Sequence, residues 1–166
     1  MIVEMLLNEF TREAESTRKL LQAIPDSALS YRPSEKSWTT AELASHIANI
    51  YSWYEGVFEQ NVFDMGTFHY EQEDRSKAAN IVAKFEENAG TARSMLEKAT
   101  DESLSELWSM TVKGQTVIPP SPRAEIIRGF LMNHIYHHRG EMIVYLRATG
   151  NIVPGLYGPT AEQSGR

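Results

Sequence analysis

Two histidines stand four residues apart, His134 and His138, in a stretch that also carries His137. Residues four apart on an α-helix differ by roughly 40° in direction and by one turn in height, so both imidazoles face the same side. This is the H-x-x-x-H spacing of many helical metal sites. A third histidine, His46, lies beside Leu43 and Ile47 on an apolar helical stripe and therefore faces inward. Three neutral imidazoles brought to one point would hold a divalent cation and leave it at least one open coordination position, the arrangement of catalytic rather than structural sites. The chain has no cysteine, so any metal is held by imidazole and oxygen. Imidazole suits Zn, Ni, Fe and Cu alike.

Each histidine also has a plainer reading. H-x-x-x-H taken alone is equally compatible with two histidines bonded to backbone or solvent, and His46 taken alone reads as a satisfied core histidine. The trio is what favours a metal, because an unpartnered buried imidazole costs a few kcal/mol on the scale of about 2–7 for polar groups, and one cation relieves all three. His137 reads as a flank of the site and His69 as a loop residue. Trp38, Trp53 and Tyr145 are candidates to line a pocket, with plain core the commoner role for such aromatics. Arg139, Glu141 and Asn133 are candidates to orient the site, with solvated or capping roles equally open.

The elements that must position these residues are helical. Val3, Leu7, Phe10, Ala14, Thr17, Leu21 and Ile24 step alternately by four and three, the seam of a helix packed among near-parallel neighbours, and Pro25 closes it. Thr39-Thr40-Ala41-Glu42 is a capping box, with Trp38 and Leu43 placed as a hydrophobic staple. The second helix starts there, and its stripe of Leu43, Ile47, Ile50, Tyr54 and Val57 or Phe58 predicts continuation to about Phe63. A third helix carries Ile81, Phe85, Asn88, Ala92, Met95 and Ala99. A short helical turn within Asp101 to Met110 and a small extended turn or hairpin over Thr111 to Val117 follow. Ser121-Pro122 predicts the start of the fourth helix and Gly150 its end. Its inward stripe is Ile127, Leu131, His134, His138, Glu141 or Met142, and Tyr145. The expectation is an all-α four-helix bundle with a short irregular or hairpin insertion before the last helix, one domain over residues 1–166.

Composition narrows the partners. Sixteen Lys and Arg against twenty-two Asp and Glu give a net charge of −6 with no basic cluster, which disfavours nucleic acid. The N-terminus lacks a basic region ahead of its apolar residues and reads as a helix start rather than a signal peptide. No apolar run approaches the roughly 18 residues needed to span a bilayer, so the expectation is no membrane and a cytoplasmic location.

The chain resembles the DinB/YfiT-like family of four-helix-bundle metalloproteins across nearly its whole length. The resemblance runs through Leu20 to Pro25, Tyr31-Arg32-Pro33, Ser37-Trp38, and Glu42-Leu43-Ala44-Ser45-His46-Ile47. Its most diagnostic part is Asn133-His134-Ile135-Tyr136-His137-His138-Arg139-Gly140-Glu141, followed by Tyr145-Leu146-Arg147 and Val153-Pro154-Gly155-Leu156-Tyr157-Gly158-Pro159. By resemblance the family's metal ligands fall on His46, His134 and His138. Glu141 departs from the pattern, since relatives often carry Gln there. The resemblance implies a divalent metal, commonly zinc or nickel, and a homodimer. For activity it implies transfer of a low-molecular-weight thiol to a small electrophile, with hydrolysis by activated water, or metal and ligand binding without catalysis, as the alternatives.

Overall fold

A computed structural model describes residues 1–68 and 73–165, so the loop assignment of His69 falls outside the described residues. The first helix, α1 (Ile2–Gln22), buries Phe10, Ala14, Thr17 and Leu21 of the expected seam together with Leu6 and Leu20, leaves Val3 and Leu7 half-buried, and ends ahead of Pro25. A single 3-10 turn, Asp26–Ala28, follows. α2 (Thr40–Ile50) opens on the capping box: Glu42 N–H donates to Thr39 Oγ1 at 3.2 Å, and Thr39 N–H donates to Glu42 Oε2 at 2.7 Å.

The second helix does not continue to Phe63. The chain turns at Tyr51 and Ser52, resumes as α3 (Trp53–Glu59), and passes through extended Gln60 into a short strand, β1 (Val62–Asp64). Tyr54 and Val57 stay buried across the turn, so the apolar period carries no mark of it. Phe63 instead packs in the sheet region, its ring stacked 6.2 Å from Trp108.

α4 (Ala78–Lys98) buries Ile81, Phe85, Asn88, Ala92 and Leu96. After α5 (Asp101–Ser105) comes the hairpin of β2 (Leu107–Val112) and β3 (Gln115–Pro122), longer than the insertion expected. Its turn places Lys113 and Gly114 at φ 51° and 77°, the paired positive values of a primed hairpin turn. β2 also pairs in parallel with β1, giving a three-stranded sheet in the order β1-β2-β3. The fold is therefore mostly helical rather than all-α.

Ser121 does not cap the last helix, because β3 runs on through Pro122 and Ser121 pairs with Trp108. The helix starts as α6 (Arg123–Glu125), loosens into a π-helical stretch, Ile126–Met132, and tightens into α7 (Asn133–Ala148). Gly150, at φ 73°, ends it: Gly150 N–H donates to Arg147 O and Asn151 N–H to Leu146 O, satisfying carbonyls of the last turn. Buried Arg123 locks this start in place, donating to Val57 O at 2.8 Å and Asn61 Oδ1 at 2.7 Å and pairing with Glu106.

α1 packs on α4 and α7, and α2 packs on the same two helices from the other side, which closes a four-helix ring around one continuous apolar cluster. Among the described residues no helix is long and apolar enough to cross a membrane.

Candidate metal centre

α2 delivers His46 and α7 delivers His134 and His138 to one point. The three rings lie 4.6–5.0 Å apart by centroid, and one ligand nitrogen from each falls within 4.8 Å of the others. His46 Nε2 and His134 Nε2 are 3.2 Å apart. Around a tetrahedral zinc ion with nitrogens at about 2.0–2.1 Å, ligand atoms stand about 3.3–3.4 Å from one another, so this separation suits a shared cation. A single hydrogen between the two rings would serve only two of the three imidazoles; a cation would serve all three. The donor set thus fits a divalent metal.

Electrostatics favours the same form. Burial, then the neighbouring His138 and His134, pushes His46 down to about 4. Burial, then His138 and His137, likewise lowers His134 to about 4, against a smaller upward pull from Glu141. Both rings are neutral at pH 7, the state that binds a cation. His138 is the most buried of the three, at 8% exposed. Its Nδ1 lies 2.6 Å from Glu141 Oε2. An ionised carboxylate can only accept, so His138 Nδ1–H donates and Nε2 is left as the ring's free ligand atom. Carboxylate–histidine pairs of this kind fix ligand rings in metal sites.

Aromatic rings wall the cluster. Trp38 lies 4.8 Å from His46 and 5.7 Å from His138, and Tyr145 holds its backbone by donating to Trp38 O at 3.1 Å. Trp53 and Phe130 lie 5.4 and 5.7 Å from His134. His134 Nδ1 and Trp53 Nε1 are buried without a partner among the described residues.

The other candidates divide. His137 is exposed and sits 3.4 Å from Glu141 Oε1, forming with His138 and Glu141 a second potential ligand group on the outer edge. Asn133 turns away, accepting from Arg128 at 2.7 Å. Arg139 points elsewhere, into a buried pair with Glu13 of α1. Phe130 was not expected at the site; its position four residues before His134 is the signal that places it there.

The comparisons agree with this architecture. The chain matches the DinB family over residues 1–165. It is 31% identical over 166 residues to the protein YrdA of Bacillus subtilis (strain 168), covering 97% of this chain and 91% of that one. A crystal structure of a DinB-like protein from Bacillus cereus ATCC 10987 superposes with a TM-score of 0.73 at 27% identity, covering 93% of this chain and 97% of the other. YfiT from Bacillus subtilis, described as a probable metal-dependent hydrolase with an unusual four-helix bundle topology, shares the fold with a TM-score of 0.65 at 14% identity, over 89% and 87% of the two chains. With the match running from end to end and the histidines meeting in the bundle, the chain belongs to the DinB family.

Proposed function

We propose that the protein is a metal-dependent enzyme in which His46, His134 and His138 hold a divalent cation, zinc or nickel, for the attack of a low-molecular-weight thiol on a small electrophilic molecule. The observation that carries this reading is the meeting of three imidazoles, from two helices, within 4.8 Å. When bound, such a cation supplies Lewis acidity that yields a thiolate or hydroxide nucleophile at neutral pH. The chain's own residues do the rest: Glu141 sets the hydrogen on His138, and Trp38 and Trp53 shield the rings from solvent on two sides. The description of YfiT favours a second reading, in which water replaces the thiol and the protein is a hydrolase. The partners that follow are the electrophile, the thiol and a second copy of this chain.

Elemental analysis of protein purified without a polyhistidine tag, beside His46→Ala and His138→Ala, tests the site. Close to one metal ion per chain in the parent and loss in both variants is expected; full retention in both ends the reading. A panel of electrophiles assayed with and without added thiol separates the two chemistries, since only the transferase needs the thiol. Bound metal without turnover on any of them would make the protein a metal-binding protein instead.

A further inference from the structure

A cavity of about 250 Å³ lies between α7 and the C-terminal segment, on a face of α7 that does not carry the histidine cluster. One residue that lines it presents a buried polar atom with no hydrogen-bond partner among the described residues, Arg139 Nε. Arg139 is 2% exposed. Its Nη1 donates to Glu13 O at 2.9 Å and to Thr17 Oγ1 at 3.4 Å, and its Nη2 donates to the Glu13 carboxylate and the Tyr157 hydroxyl. Only the Nε–H remains, and a buried donor left unmade costs about 1–3 kcal/mol. A donor of this kind on the lining of a cavity calls for an acceptor inside it.

The rest of the lining states which acceptor. Ile143, Leu156 and the rings of Tyr136 and Tyr157 make the walls mostly apolar. Arg147 is a second cation on the lining, to which no acidic side chain belongs among the described residues. The carboxylates that pair with these arginines, Glu13 and Glu162, lie outside the lining. Apolar walls with a few placed polar groups are the usual build of a small-molecule site. We propose that this cavity binds a small carboxylate with an apolar body, its carboxylate accepting from the Arg139 Nε–H. The binding needs no metal and is independent of the histidine site.

Nuclear magnetic resonance titration of the full chain with 3-methylbutyrate, hexanoate and 4-phenylbutyrate, each beside its primary amide, tests this. The expected result is saturable shifts of amides in the second half of α7 and around Leu156 to Thr160 with at least one carboxylate. The matching amide should bind about tenfold more weakly or worse. Ile143→Trp and Leu156→Trp, each of which fills the space, should abolish binding. Leu156→Trp lies in the C-terminal segment and keeps the test intact should Ile143→Trp fail to fold. His138→Ala should leave the binding unchanged. Amides binding as well as acids, affinity untouched by Leu156→Trp, shifts centred on His46 and His134, or no saturation by any probe up to about 10 mM would each overturn the proposal.

Discussion

The carboxylate of Glu141 decides which nitrogen of His138 carries the hydrogen, and that choice governs whether the ring can serve as a ligand. Because Glu141 is 44% exposed on its side chain, its contribution belongs at the low end of the range for such orienting groups. Glu141→Ala is expected to weaken metal binding about tenfold in a competition titration with a chelator, while Glu141→Gln, whose amide oxygen still accepts from His138, should stay within about threefold of the parent. Equal losses in the two variants would show that charge, not orientation, is the contribution. At this scale the sequence was informative where helical spacing sufficed. The pair of His134 and His138 follows from a separation of four, and His46 from its place on an apolar stripe. Arg139 was beyond the same reasoning: a charged residue next to His138 carries no sign in the sequence that Glu13, on a helix more than a hundred residues earlier, will meet it in the interior.

Helix boundaries were legible when their chemistry is local. The capping box of Thr39 and Glu42 lies within four consecutive residues, and the structure contains both of its bonds. The Thr39 backbone N–H and then its hydroxyl hold the Glu42 carboxyl below its ordinary value of 4.5. A lowered carboxyl favours the folded state above its unfolded value and loses that advantage as pH falls through the folded one. Thermal melts of the parent and Glu42→Gln should therefore differ at pH 7 and converge as pH is lowered below about 4, with Thr39→Ala costing about 1 kcal/mol at neutral pH. A gap that persists in acid would mean the carboxylate plays no part in the cap. β1, the turn at Tyr51 and Ser52, and the π-helical stretch before Asn133 could not be read in this way. A three-residue strand exists only because Phe63 pairs opposite Met110, and neither the turn nor the π stretch interrupts the apolar pattern that spacing detects.

At the scale of the whole molecule the three proposed ligands belong to α2 and α7, elements that come together only when the four-helix ring closes. A cation held by all three histidines is therefore bound by the native chain and not by the unfolded one, so binding adds to stability by mass action. Free metal at about 100 times its dissociation constant contributes roughly 2.7 kcal/mol, which for a chain of this size raises the melting temperature by roughly 5–11 °C. His46→Ala should lose nearly all of that increment. In chelator the order is expected to be close to level, because the parent then keeps crowded imidazoles in its interior, with His46 Nε2 3.2 Å from His134 Nε2, whose cost offsets the packing that the variant gives up. Differential scanning calorimetry of both proteins, with chelator and with excess zinc, gives the four values needed. Zinc raising both proteins by the same amount would place its binding away from His46, whereas a rise confined to the parent ties the closure of the bundle to the filling of its three-histidine centre.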